Sequence, residues 1–465
     1  MIPVPKLFRK TKTVKRIEAY MDTAFHDVLH TTLNPDGPGV IRIHLVPPKK
    51  EEYALNPSIA IINGTDIVPV NFVWAVILAE LIRETNKYDG KELGEAEIEL
   101  ILDRTAVSVK QIIPVFSRKR IEEDIRTIYR TLKQIAYREE VTTDVHYMSI
   151  GEYAEYMTAP HRMDLMVSAM TKNGQWHCNQ KCIHCYAAGQ VLSDETELST
   201  EDWKMILDRC RAADIPQVTF TDGEPTMRED LFELISYARW FISRLNTNGI
   251  KLTADYCKKL HEAELDSVQI TFYSWDPAVH NRLVGAPQYE NTVQGIENAL
   301  SERLSVSINT PLCTLNRDYV KTLEFLHEKG VIYVTCSGLI TTGNAAGEAS
   351  ERLQLTGEEL EQVLRDAVAY CHANGMEIAF TSPGWIPQHV FEELNIPSPS
   401  CGACLSNMAI TPGGNVVPCQ SWLSDDPLGN MLTDDWAEIW NSPNCIERRN
   451  YSSEMTGECP LRRYC

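Results

Sequence analysis

The spacing of apolar residues changes period along this chain, and the changes divide it. After a polar lead-in, Val40-Ile41-Arg42-Ile43-His44-Leu45-Val46 alternates in the manner of a strand and stops at Pro47-Pro48. Tyr53-Ala54-Leu55-Asn56 and Ile59-Ala60-Ile61-Ile62 follow, and Asn63-Gly64 reads as a hairpin turn into Ile67-Val68-Pro69-Val70. Helical spacing then takes over at 74–85, 95–103 and 118–137, where Ile121, Ile125, Ile128, Leu132 and Ile135 share one face. From 165 onward, short apolar runs at 165–170, 217–220, 241–245, 268–272, 305–310 and 331–335 alternate with helical text. Six such β/α units predict an α/β domain of parallel strands joined by right-handed crossovers. The expected division is 1–155, 160–385 and 395–465.

Composition narrows the class without naming a function. The 465 residues are 43% hydrophobic and 23% charged, which suits a globular protein with a sizeable core. A net charge of −20 argues against nucleic acid or an acidic membrane surface as a partner. The basic stretch 1–20 lacks the apolar core of a signal peptide, and the longest apolar run, 72–79, is too short to span a bilayer. A cytoplasmic protein is expected. In that compartment fourteen cysteines read as metal ligands or small core residues and not as disulfides.

The chemistry concentrates in Trp176-His177-Cys178-Asn179-Gln180-Lys181-Cys182-Ile183-His184-Cys185-Tyr186, a C-x3-C-x2-C loop directly after the 165–170 strand. Thiolates are soft ligands for zinc or iron–sulfur clusters, and a closed site takes four of them. Three leave one corner open. Zinc completed by His177 or His184 is the alternative reading; an open [4Fe–4S] cluster is favoured.

With its aromatic after the last cysteine, this loop resembles the signature of the radical S-adenosylmethionine (radical SAM) enzymes. Thr221-Asp222-Gly223-Glu224-Pro225, one β/α unit downstream, looks like that family's Gly-Gly-Glu-Pro motif with Asp222 at the first glycine. The resemblance implies a partial (β/α)6 TIM-like barrel. It implies that Cys178, Cys182 and Cys185 hold a [4Fe–4S] cluster whose open iron binds S-adenosylmethionine (SAM). It implies cofactor contacts from His184, Tyr186, Gly223, Glu224, Asn246, Asn248, Ser274 and Asn309. One electron then splits the sulfonium and gives a 5′-deoxyadenosyl radical that takes a hydrogen atom from substrate.

The flanking segments carry further resemblances. Strands followed by three helices ahead of the barrel are similar to the winged-helix α+β domains of peptide-modifying radical SAM enzymes, which pair a precursor's leader with a strand edge. A structural N-terminal cap is the other reading. At the far end, Cys401-Gly402-Ala403-Cys404 and the turn-rich run 410–419 resemble the opening of the auxiliary-cluster extensions called SPASM and twitch. The resemblance implies one auxiliary [4Fe–4S] cluster on Cys401, Cys419, Cys459 and Cys465, with Cys404 as the competing ligand. A zinc ribbon is the alternative.

The expected function is abstraction of hydrogen from a ribosomally made precursor peptide, installing a thioether, C–C or cyclophane crosslink, with a flavodoxin- or ferredoxin-type reductant. Peptide epimerisation, or dehydrogenation of a small molecule or protein side chain, stands as the enzymatic alternative. An iron–sulfur or zinc-stabilised interaction protein stands as the non-enzymatic one.

Overall fold

The computed structural model describes residues 12–33, 41–48, 56–88, 93–137, 139–347 and 352–454. The chain folds as two compact units, Met1–Met157 and Thr158–Cys465.

In the first unit, helix α1 (Lys12–Ala24) precedes an antiparallel meander of β1 (Leu29–Leu33), β2 (Ile41–Val46), β3 (Ser58–Ile62) and β4 (Asp66–Val70), paired in chain order. Helices α2 (Phe72–Thr85), α3 (Glu95–Ile112) and α4 (Arg118–Ala136) follow. The Asn63-Gly64 turn closes β3 onto β4 with both residues at positive φ (50° and 73°), the geometry that fits the strands' right-handed twist. The Asn63 side chain also accepts the Arg42 N–H at 2.7 Å. Tyr53 to Leu55 lie outside the described residues.

The polar lead-in is structured where it is described. Ile17, Tyr20 and Met21 are buried at helical spacing, with charged residues between them, and Phe25 completes the stripe. Four apolar residues in polar text are a faint signal, and β1 (Leu-His-Thr-Thr-Leu) is only partly buried. Among its described residues the unit is thus a four-stranded sheet with four long helices.

The second unit opens with β5 (Arg162–Met166) and a hairpin of two residues per strand, β6 (Thr171–Lys172) and β7 (Gln175–Trp176). Then come β8 (Gln217–Thr221), β9 (Ile242–Thr247), β10 (Ser267–Thr271), β11 (Ser305–Pro311), β12 (Tyr333–Ser337) and β13 (Glu377–Phe380). The last strands are β14 (Asn407–Ile410), β15 (Asn415–Val417) and β16 (Gly429–Asn430). All but the small hairpin join one ten-stranded sheet in the order β13-β12-β11-β10-β9-β8-β5-β14-β15-β16. Pairing is parallel from β13 through β14, as helical crossovers require.

Two expectations change here. A seventh β/α strand, β13, follows the helix Gly357–Ala373 and extends the expected six. The first strand sits at 162–166 and not 165–170, because Val167 to Met170 leave the sheet to support the cysteine loop. In the C-terminal hairpin β14–β15, β14 pairs with β5 from Asn407↔Arg162 to Ile410↔Leu165, so it lengthens the same sheet.

Strands in a parallel sheet covered on both faces usually read as continuous apolar runs. These alternate instead. Val218 and Phe220, Val268 and Ile270, and Val306 and Ile308 are buried, whereas Thr219, Gln269, Thr271 and Asn309 border an internal cavity. One face of the sheet packs the core; the other is a polar lumen.

Candidate active site

The cysteine loop is clamped by backbone on every side. The β6–β7 turn (Asn173, Gly174) brings the chain back so that the His177 N–H donates to Met170 O at 2.8 Å. The N–H groups of Lys181 and Ile183 donate to Val284 O and Leu283 O, both at 3.0 Å, and Asn344 N–H donates to Cys185 O at 2.9 Å. Gly343 lies so close that a Cβ there would meet Tyr186 O at 2.2 Å. The thiols of Cys178, Cys182 and Cys185 are half-buried, and burial is the first cause that raises each of them, Cys182 to about 12 with Cys185 adding to it and Cys185 to about 11 with Asp222 adding to it.

Glu224 fixes the strand ends behind that loop. Its Oε1 accepts from Thr226 N–H (3.1 Å), Thr226 Oγ1 (2.6 Å) and Thr247 Oγ1 (2.7 Å), and its Oε2 accepts from Asn248 N–H (2.8 Å). Asn248 Nδ2 donates onward to Asn179 Oδ1 at 2.5 Å, inside the cysteine loop. Gly223 carries φ +51°, and a Cβ there would lie 2.6 Å from Ser168 O; its own carbonyl is 3.4 Å from Cys178 Sγ. Asp222, at φ +67°, shows why a glycine suits its position. Its Oδ2 is buried without a hydrogen-bond partner among the described residues, and burial raises its carboxyl to about 7.

The lumen is a cavity of about 440 Å³ whose lining includes Cys182, His184, Cys185, Tyr186 and Tyr273 together with Cys401, Cys419, Gln420 and Trp422. Asn246 and Asn309 line it as well, together with Arg162, Asp164, Thr219, Arg244, Gln269 and Thr335, which the motifs did not point to. Their signal was the strand alternation itself. His184 is buried, kept neutral by burial that lowers its pKa to about 4, with Nε2 3.1 Å from Tyr273 Oη. Ser274 stands apart from the lumen; its hydroxyl accepts Asp276 N–H at 3.1 Å and stiffens the turn into the next helix. Asn248 is engaged in the tie described above, while the Asn309 Oδ1 accepts from Thr335 Oγ1 at 2.9 Å.

Among the described residues no three His, Cys, Asp or Glu side chains converge tightly enough for a single metal ion. Asp222 Oδ2, Asn246 Oδ1, Thr219 Oγ1 and His184 Nδ1, buried around the loop and lumen with no partner among the described residues, fit an absent polar ligand. Cys401 and Cys419 pack with Ala403 and Trp422, and Cys404 sits in the same turn; Cys459 and Cys465 lie outside the described residues.

The radical SAM superfamily model matches residues 176–326, and an iron–sulfur cluster-binding (SPASM) domain model matches 401–465. The chain belongs to the radical SAM superfamily. A probable GTP 3′,8-cyclase of Methanopyrus kandleri is 32% identical over 44% of this chain and 70% of its own. An AdoMet-dependent heme synthase of Oleidesulfovibrio alaskensis is 29% identical over 61% of this chain and 76% of its own. The PqqA peptide cyclase of Streptomyces rochei is 25% identical over 61% and 79%. Among solved structures, Streptococcus suis SuiB bound to precursor peptide SuiA shares the fold at TM-score 0.55 and 14% identity, over 88% of this chain and 91% of that one. As a radical SAM protein with a SPASM domain, the chain uses a [4Fe–4S] cluster, SAM and an auxiliary cluster. No helix among the described residues is long and apolar enough to cross a membrane.

Proposed function

We propose that this radical SAM enzyme modifies a ribosomally made precursor peptide, forming a thioether, C–C or cyclophane crosslink. The observation that carries the reading is the reach of the fold likeness. Residues 158–465 alone do not make up 88% of the chain, so the likeness to a precursor-bound enzyme extends into the first unit. The PqqA peptide cyclase relative points the same way.

When bound, the cofactors supply one-electron cleavage of SAM and an organic radical. The chain's own residues supply the rest. Glu224, Asn248 and the glycines hold the cysteine loop rigid, and the polar lumen offers hydrogen-bonding groups to orient a peptide segment. Closing a crosslink releases a second electron and a proton. Cys401 and Cys419 line the same lumen, and an auxiliary cluster held there would accept that electron. A flavodoxin- or ferredoxin-type protein is the proposed reductant.

The first unit is proposed to act as a winged-helix-like recognition domain that takes the precursor's leader as an added strand on β1. The other edge, β4, carries Pro69, and its Ile67 O already accepts Met148 N–H at 2.8 Å. A second reading, a carboxylate-bearing small molecule, draws on Arg162 and Arg244 in the lumen and on the heme synthase relative.

Removing residues 1–157 separates the readings. With a candidate precursor encoded beside the gene, the intact enzyme should give a product two mass units lighter. The truncated enzyme should cleave SAM but leave the peptide unmodified. Equal peptide modification by both forms would refute leader recognition by the first unit.

A further inference from the structure

The helix Pro443–Glu454 carries no metal-binding motif in its text, yet one face of it is directed at the C-terminal cysteines. Cys445, Arg448, Arg449 and Ser452 recur at i, i+3, i+4 and i+7; Cys445 and Ser452 are buried and the two arginines half-buried, while Ile446, Glu447, Asn450 and Tyr451 are exposed. The Cys445 thiol is wholly buried beside the equally buried Cys404 thiol. Arg449 Nη2 donates to Cys445 Sγ at 3.4 Å, and its Nε donates to Cys404 O at 2.9 Å. Ser452 Oγ donates to Ala403 O at 2.6 Å and lies 3.5 Å from Cys401 Sγ.

The opposite wall is the 401–404 turn and the end of the β14–β15 hairpin. Cys404 is held at φ +56°, a left-handed conformation uncommon for cysteine, with its N–H donating to Pro418 O at 3.2 Å. Pro418 precedes Cys419, which packs with Cys401 against Trp422. Four thiols from three chain segments are thus brought close in two pairs, Cys404 with Cys445 and Cys401 with Cys419, joined through the 401–404 turn. Four is the usual number for a [4Fe–4S] cluster.

We propose that Cys401, Cys404, Cys419 and Cys445 hold the auxiliary cluster, and that neither Cys459 nor Cys465 is required. The charges support this assignment. Four thiolates on an oxidised [4Fe–4S] core form a dianion, and two guanidiniums face it. Arg449 is pinned by Trp440 O at 2.6 Å and by its stacking 3.5 Å over the Trp440 ring. Arg448 lies 4.8 Å over Trp422, its buried Nε without a hydrogen-bond partner among the described residues. Positive charge and N–H donors beside the sulfurs stabilise the reduced cluster and raise its potential.

Iron counting and potentiometry test this without reference to any substrate, so the result is independent of the peptide reading. In the full-length C178A/C182A/C185A background, anaerobic reconstitution should leave about four irons per chain. Adding Cys445→Ser should remove most of that iron, whereas adding C459A and C465A should retain it. Retention of about four irons and an unchanged reduced-cluster signal in the Cys445→Ser protein would overturn the proposal. So would loss of iron in the C459A/C465A protein. Should Cys445→Ser fail to fold, judged by circular dichroism, Arg449 decides. Arg449→Gln should lower the midpoint potential at intact iron content and Arg449→Lys should restore part of it; an unchanged potential in Arg449→Gln would also overturn the assignment.

Discussion

Glu224 Oε2 accepts the backbone N–H of Asn248 at 2.8 Å, and this bond ties the end of β8 to the end of β9 directly behind the cysteine loop. The carboxylate is fully engaged: Thr226 N–H, Thr226 Oγ1 and Thr247 Oγ1 occupy its other oxygen. A residue that recruits four donors in a site with 1% exposure is holding the frame in place. Glu224→Gln keeps the shape but offers one acceptor oxygen. Whichever way the amide turns, its NH2 faces the N–H of Thr226 or of Asn248. One buried N–H is left unpaired, at a cost of about 1–3 kcal/mol. The expected result is a lower melting temperature and poorer iron retention in the first loop, read by calorimetry and iron assay on the same preparation.

Gly223 adds a steric requirement to that electrostatic one. Its φ of +51° costs an L-residue about 1–2 kcal/mol, and a Cβ would press to 2.6 Å from Ser168 O and 3.0 Å from Ala169 O. Both contacts are backbone, so neither yields by rotating a side chain. Gly223→Ala should shift the strand-end loop and move the Gly223 carbonyl away from Cys178. Calorimetric titration of reconstituted enzyme with SAM should show at least a tenfold loss of affinity, and unchanged binding would contradict the packing.

The chain's local elements were legible and its long-range pairings were not. Asn63-Gly64 announces its hairpin because the turn needs two residues at positive φ, a local demand met by local chemistry. Val268-Gln269-Ile270-Thr271 and Ser305-Val306-Ser307-Ile308-Asn309 show alternation in plain text, and the parity separates core face from lumen face. By contrast, nothing near Asn407 says that β14 will pair with β5, far earlier in the chain. Nothing near Cys445 says that its helix will face the 401–404 turn. The Asp222-Gly223-Glu224 motif was visible, but its division of labour was not. Glu224 is committed to protein donors, while Asp222 keeps one oxygen unused among the described residues.

That unused oxygen makes a pH prediction. The folded carboxyl of Asp222 is raised to about 7, by burial first and by Asp194 next, against about 3.9 in an unfolded chain. Between those values the folded state holds a proton that the unfolded state has released. The contribution to stability is therefore fully present below about pH 4 and is lost as pH rises through about 7. Asp222→Asn removes the titration and tolerates the left-handed backbone. Melting curves of the cluster-free protein should coincide for the two forms near pH 4, with the variant increasingly the more stable toward pH 8. A difference that does not vary with pH would rule out a lone buried carboxyl.

The link between the first β/α unit and the C-terminal hairpin rests on another carboxylate, that of the half-buried Glu195. Its Oε2 accepts from Thr411 Oγ1 and, at 3.1 Å, from Gly413 N–H, while its Oε1 accepts from Asn415 Nδ2 at 2.7 Å. These three donors span the turn between β14 and β15, so one carboxylate sets the shape of the turn that leads to Cys419. Glu195→Ala strands all three. It also opens space beside Gly413, where the carboxylate packs so closely that a Cβ on the glycine would lie 2.7 Å from Glu195 Oε2. The β14–β5 ladder remains, because its hydrogen bonds are made by backbone alone. The expected phenotype is local: a loss of about 1–3 kcal/mol for the stranded groups, with faster protease cleavage in 411–415 while the barrel stays protected. Mass mapping of early fragments checks it, and a uniform loss of protection across the unit would show that Glu195 supports the whole sheet and not only this turn.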